Sequence, residues 1–356
     1  MSESMTHCRS PRALTAIALA ALIGVGVPAT TVAQTVELKL AHFVVPQHPY
    51  SKYLQEWADL VAKKSGGKLK IAIFPNGQMG PAPRMYDLAR TGQADISWFV
   101  HGFTPGRFPL TDISNMPYLF GSGEIGSKVL NEPEIRAILD KEHQGVHVLQ
   151  LYTHQPGNVN MASKPIHTVE DLKGQRIRFA SSVVREFIAQ LGGTPVGIPS
   201  PEIVENMQKG TLDGAFIDYG GAGIAFRMGP VTKYTTELYA YVVSFGTVIN
   251  QRSWDALGPA SQKLLTDALE ELGGGAEAGR RFDSIDTPGK NAMIKAGTQI
   301  ITLTPEQDAK FRAAGAAVTE RVLAELEGKG LPARKVYKLM QEGAAKAAKT
   351  SKSFWK

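Results

Sequence analysis

Twice along this chain the spacing of apolar residues switches from a period of two to a period near 3.6 and back, in the same order each time. Residues 36–43 alternate and then turn fully apolar, as a strand does on entering a buried sheet. Residues 50–64 place Tyr53, Leu54, Trp57, Leu60 and Val61 on one helical face, and 69–74 read as a strand again. A helix over 82–91 and a strand over 94–100 complete the first unit. Downstream, 177–180, 183–191, 194–198, 201–208 and 214–219 repeat strand, helix, strand, helix, strand. Strands joined through helices run parallel, so each unit predicts an α/β sheet, and the repetition predicts two lobes of one kind. Both units close on the same joint, Gly92-Gln93-Ala94-Asp95 and Gly210-Thr211-Leu212-Asp213, a glycine helix stop followed by an aspartate that opens a strand.

The remainder sets how the lobes connect. A strand is expected over 244–250, long amphipathic helices over 259–272 and 305–326, and a short strand over 298–303. A strand preceding the helices implies that the chain crosses between lobes more than once, which makes a hinge rather than a loose linker. The expected division is lobe I over 34–156 and 244–283, lobe II over 157–243 and 284–335, and a basic helix or tail over 336–356. That ending carries Lys335, Lys338, Lys346, Lys349, Lys352 and Lys356 and reads as a solvated terminal helix rather than a nucleic-acid patch.

Residues 1–33 read as an export signal. Arg9 and Arg12 form the basic start, 13–27 is an apolar run too short for a comfortable span, and Thr31-Val32-Ala33 offers small residues before a cut near Ala33. Cys8 is the single cysteine and precedes the apolar run, so the mature chain of roughly 320 residues, enough for two cores, has none. Disulfides, thiolate catalysis and zinc–thiolate sites are thereby excluded. The formal charge of +6 changes little with the leader, and a mild positive field favours anionic ligands.

An enzyme should leave a nucleophile with its base, paired carboxylates or a metal cluster, and none stands out. There is no Gly-x-Ser-x-Gly elbow, phosphate loop or His-Glu-x-x-His helix. His42 and His101 end the first and third strands, where open α/β sheets bind ligands, but no carboxylate is spaced beside them for a metal. Neither metal nor cofactor is expected. Phe43, Phe74, Trp98, Phe99 and Phe103 fall at strand ends of the first unit, and Phe179, Phe216 and Tyr219 at those of the second. Core packing accounts for each singly; together they would line a cleft between lobes, with Trp98 and Tyr219 keeping a polar handle for a half-polar ligand.

Arg178 lies mid-strand among apolar neighbours. A guanidinium stays charged at physiological pH and fits a carboxylate with two parallel hydrogen bonds, and burying it without an anion is costly. Either Glu202 or Asp213 neutralises it, or a carboxylate arriving from solution does. Arg107, flanked by turn residues, reads as part of a surface or hinge salt bridge.

Several motifs occur in a fixed order: Phe74-Pro75-Asn76-Gly77-Gln78-Met79-Gly80, Gly92 to Asp95, Asp171-Leu172-Lys173-Gly174-Gln175-Arg176-Ile177-Arg178, Leu191-Gly192-Gly193-Thr194-Pro195-Val196, Glu202, Gly210-Thr211-Leu212-Asp213-Gly214, and Asn250 with Trp254-Asp255-Ala256-Leu257. In this order they resemble the DctP-like solute receptors of tripartite ATP-independent periplasmic (TRAP) transporters, over nearly the whole mature chain. The resemblance implies a two-lobed α/β periplasmic binding protein, with a ligand cleft between lobes, multiple crossovers and a long helical C-terminal part. It implies delivery of a small organic acid to the small and large membrane subunits of a permease, and Arg178 as the clamp on its carboxylate. One departure stands out: many family members place an asparagine beyond Asp-Gly, where this chain has Ile217. Beside Phe216 and Tyr219 that suggests a more apolar pocket, suited to an aromatic or apolar monocarboxylate rather than a sialic-acid-like sugar. The residues expected at the ligand are Arg178, Trp98, Phe216, Tyr219, His42, Phe43, Phe99 and Phe74. A binding protein of an ATP-driven importer or sensor, and then a secreted α/β enzyme, are the alternatives.

Overall fold

The computed structural model describes residues 35–353. The expected leader with its cut near Ala33, Cys8 and Lys356 lie outside the described residues. In chain order the strands are β1 (Val36–Ala41), β2 (Leu69–Phe74), β3 (Ile96–Val100), β4 (Val146–Thr153), β5 (Gly157–Met161), β6 (Arg176–Phe179), β7 (Thr194–Gly197), β8 (Gly214–Ile217), β9 (Tyr234–Tyr241), β10 (Ser244–Asn250) and β11 (Gln299–Thr302).

They form two mixed sheets. One has the order β2-β1-β3-β10-β4 and the other β11-β9-β5-β8-β6-β7. The parallel triplets β2-β1-β3 and β7-β6-β8 are the two expected α/β units. Each sheet is completed by antiparallel strands: β10 against β3 and β4, and β5 against β8 and β9. The chain leaves the first sheet after β4, returns to it at β10, and contributes β11 to the second from the helical region. Repeated crossings of this kind allow two sheets to move as bodies while the connecting segments stay paired.

Local chemistry accounts for the helices that cover the first sheet. The helix Pro49–Lys64 starts with proline at its first position and with His48 as N-cap, whose ring accepts from the Tyr50 amide at 3.1 Å. Its apolar face buries Tyr53, Leu54, Trp57 and Val61, and the Trp57 indole N–H donates to the Leu265 carbonyl at 3.1 Å. Leu265 belongs to the helix Gln251–Glu271, which begins earlier than the amphipathic pattern suggests and kinks at Gly258, φ 69°, just before Pro259.

The basic ending is helical with Lys335, Lys338, Lys346, Lys349 and Lys352 exposed, as expected, but it is also docked. Its helix, Ala333–Ala348, buries Val336, Met340 and Ala347, and the segment after it is tied down rather than solvated. Glu124, fully buried, accepts from the Ser351 hydroxyl at 2.8 Å and from the amides of Lys352 and Ser353 at 2.7 and 2.9 Å. Lys128 and Arg280 pair with the same carboxylate.

The two sheets approach each other closely just past β3 and β6. The Gly102 backbone lies so near Ala180 and Ser181 that an added Cβ would stand 1.8 Å from the Ala180 carbonyl oxygen. Only glycine permits that approach.

Candidate ligand-binding cleft

Parallel strands present their carboxyl ends to one side of a sheet, and ligands of open α/β sheets gather there. In this chain the carboxyl ends of β1, β3, β6 and β8 converge on a shared space, lined among others by Phe43, Trp98, Val100, Arg178, Ala180 and Asp218.

Arg178 stands at its floor, 1% exposed. Its Nε donates to the Ile198 carbonyl at 2.9 Å, Nη1 to the Phe216 carbonyl at 3.2 Å and Nη2 to the Ser200 hydroxyl at 2.7 Å. Three of five N–H groups are thus held by neutral acceptors, and each terminal nitrogen keeps one more. Among the described residues Arg178 makes no ion pair. Asp213 instead takes Arg176, at 2.7 Å, because it opens β8 beside that residue, and Glu202 is exposed. The internal pairing weighed from the sequence is therefore not formed. Burial pushes the guanidinium pKa down to about 10, with Tyr241 and Asp218 acting in the other direction. The buried cation is oriented and under-neutralised, and it retains donors for an anion.

Opposite Arg178 the wall is aromatic. Phe43 meets Trp98 with ring centroids 4.9 Å apart, and Phe245 stacks on Phe282 at 5.2 Å. Tyr50 and Tyr152, stacked at 4.3 Å, back this wall. The Trp98 indole N–H is buried with no partner among the described residues. His48 also lines the space. Burial, assisted by His42, pushes its pKa down to about 3, and since Nδ1 accepts from Tyr50 the ring proton resides on Nε2. A second polar group stands beside Arg178: Asp218, just past β8 and 5% exposed, accepts from the Gly221 amide at 2.7 Å. His154 lies 3.8 Å from the other Asp218 oxygen, with its pKa lowered chiefly by burial against the pull of that carboxylate.

The sequence-derived candidates divide. Arg178, Trp98 and Phe43 line the cavity together. Phe216 lies behind it, stacked on Tyr241 at 5.6 Å, and contributes its carbonyl to Arg178. Tyr219 is fully buried, with its hydroxyl on Glu237 at 3.2 Å. His42 bonds the Ser51 hydroxyl at 3.0 Å and packs behind Trp98. Phe99 occupies the opposite face of β3 from Trp98, against Tyr86 and Phe108. Phe74 ends β2 half-buried, away from the cavity lining. His101 is used internally, Nε2 to Nε2 with His143 at 2.9 Å, and Arg107 pairs with Asp87 at 2.9 Å. Sequence reasoning missed Ser200, Asp218, Tyr241, Phe245 and Phe282. Asp218 follows β8 directly and Ser200 lies in the turn after β7, so the strand-end rule that found Trp98 points toward them. Phe282 sits on a helix and carries no such signal.

Among the described residues no group of three or more His, Cys, Asp or Glu is placed to hold a metal ion, and no helix is long and apolar enough to cross a membrane.

In sequence and overall fold the chain is similar to known solute-binding proteins. The family model described as bacterial extracellular solute-binding protein, family 7 (DctP) matches residues 40–326. A TRAP solute binding protein from Rhodoferax ferrireducens, solved with copurified benzoate, is 27% identical with a TM-score of 0.82, covering 89% of this chain and 99% of that one. A marine metagenome TRAP solute binding protein specific for aromatic acid ligands, solved with metahydroxyphenylacetate, is 26% identical with a TM-score of 0.82, covering 88% and 99%. A solute-binding protein of Albidiferax ferrireducens is 26% identical over 283 residues, 76% of this chain and 82% of its own.

Proposed function

The chain belongs to the family 7 bacterial extracellular solute-binding proteins, the DctP family, and on that basis we propose that it is a TRAP-type receptor that closes on an aromatic monocarboxylate. The ligand carboxylate takes the free N–H groups of Arg178, and its ring lies among Phe43, Trp98, Phe245 and Phe282. The observation that carries this reading is Arg178 itself, 1% exposed, oriented by three neutral acceptors and facing an aromatic wall. The solved relatives described as binding benzoate and metahydroxyphenylacetate support the ligand class.

The mechanism is differential affinity. A ligand that touches both sheets stabilises the arrangement in which Gly102 meets Ala180, and shifts the population toward it. We take the lobes as 34–156 with 244–283 and 157–243 with 284–335. The family and these relatives are receptors; the ligand leaves the cleft chemically unchanged and passes to the membrane subunits of a permease. Export with cleavage near Ala33 places the receptor in the periplasm.

A thermal-shift screen of mono- and dicarboxylates, aromatic and aliphatic, tests the reading. Ligand at a hundred times its Kd stabilises by about 2.7 kcal/mol through mass action. Aromatic monocarboxylates should raise Tm and be recovered intact by NMR. A response confined to sugars or aliphatic diacids, or conversion of the ligand, overturns it.

A further inference from the structure

We propose that Asp218 sets which acids enter: it accepts a hydrogen bond from a hydroxyl on the ligand and repels a second carboxylate, so the cleft takes hydroxylated monocarboxylates and refuses dicarboxylates. This rests on the reading of the cleft as an aromatic-acid site.

Asp218 and Arg178 line the same space, and both are buried. One Asp218 oxygen is committed to the Gly221 amide at 2.7 Å, which fixes the carboxylate plane. The other accepts no hydrogen bond from the described residues. Its nearest ring nitrogen, His154 Nδ1, is 3.8 Å away, beyond hydrogen-bond reach, and is bonded to the Gln155 carbonyl. No cation among the described residues pairs with Asp218, since His154 is held toward its neutral form by burial. The cleft thus contains one guanidinium and one carboxylate, each with spare hydrogen-bonding capacity, against an apolar wall.

Those two groups impose opposite demands on the parts of a ligand that reach them. A carboxylate satisfies Arg178. At the Asp218 end a hydroxyl donates to a charged acceptor, an interaction strong enough to favour it about 10- to 100-fold over a plain ring that leaves the oxygen dry. A second carboxylate there meets a like charge in a water-poor space, the arrangement by which sites discriminate through repulsion. Selection then works on charge, and a neutral group of the same shape is tolerated.

Calorimetric titration of the wild-type chain and Asp218→Asn is the test. The probes are benzoate, its three monohydroxy isomers, the three benzenedicarboxylates and the matching nitrobenzoates, which have the shape of the diacids without the second charge. Asparagine keeps the oxygen that Gly221 requires. In the wild type one hydroxy isomer should bind at least tenfold tighter than benzoate, and each dicarboxylate weaker than its nitro counterpart. In Asp218→Asn the ratio of dicarboxylate to hydroxy-acid Kd should fall at least tenfold. The proposal is overturned if that ratio does not move, or if the nitro acids are refused as firmly as the diacids, because size would then set the limit. If benzoate binds without any such discrimination, only this proposal falls. If no aromatic acid binds the wild type, the ligand class of the cleft falls with it.

Discussion

Replacing Gly102 by alanine should weaken ligand binding although position 102 does not line the cavity. In the structure an alanine Cβ there would stand 1.8 Å from the Ala180 carbonyl oxygen and 2.7 Å from Ser181 Cα. Ordinary non-bonded contact begins near ~3.5 Å, so the two backbones must separate by roughly 1.7 Å. Both partners are backbone, at the ends of β3 and β6, and no side chain can swing aside. Overpacking of this kind costs about 1–3 kcal/mol. If the contact exists only when the sheets close, the cost falls on the closed state, and apparent affinity drops with the closed population by about 5- to 150-fold. Titration calorimetry of Gly102→Ala with the best ligand from the screen, beside the unliganded Tm, separates the cases. The expected result is weaker binding with an unliganded Tm within a few degrees of wild type. Gly121→Ala, where an added Cβ meets nothing within 4 Å, should bind as wild type does. Unchanged affinity in Gly102→Ala would refute closure through this contact, and a large loss of unliganded stability would show that the contact is permanent.

Two further outcomes follow from the cleft and the crossing segments. Ser200→Ala removes the hydroxyl that accepts from Arg178 Nη2 at 2.7 Å; losing one orienting bond of about 1 kcal/mol should weaken binding roughly fivefold with ligand preference retained. Equal affinity would mean that Ser200 does not orient the guanidinium. Asp286 has its pKa pushed up to about 8, by burial first and then by Asp218 and Asp283. An unfolded aspartate titrates near ~3.9, so between there and pH 8 the folded state holds a proton that the unfolded chain releases, and this group's contribution to stability falls as pH rises. Asp286→Asn removes that slope. Its Tm relative to wild type should rise from pH 5 to pH 8.5 in scanning fluorimetry, whereas a difference independent of pH contradicts the assignment.

The parallel triplets were legible because their information is local: period, glycine stop and strand-opening aspartate all lie within a few residues. β5 was not, because its buried positions include Asn158 and Asn160. Their bonds run to other strands, with Asn160 donating to the Ile217 carbonyl and accepting from Thr235, and the Asn158 oxygen accepting from the amides of Leu238 and Tyr239. Burial of polar residues through non-local partners leaves no hydrophobic alternation to read. Arg178 could be singled out because a cation inside an apolar strand demands explanation, but its three acceptors come from β8 and from the turn after β7. Strand-end aromatics marked the right end of the sheet. They could not say which face each ring takes, so Trp98 reaches the cavity and its neighbour Phe99 does not.

The central claim is that Arg178 holds the ligand carboxylate, and titration calorimetry of Arg178→Met with the best-binding acid tests it most directly. Methionine keeps an apolar stem of similar length and removes the cation. Breaking a buried charge pair costs about 2–5 kcal/mol, which is roughly 30- to 5,000-fold in Kd. The unliganded protein should remain folded, since the three bonds it loses are offset by relief of a buried charge that makes no direct ion pair among the described residues. Loss of binding in a folded variant is the predicted result; a Kd within threefold of wild type would contradict the account.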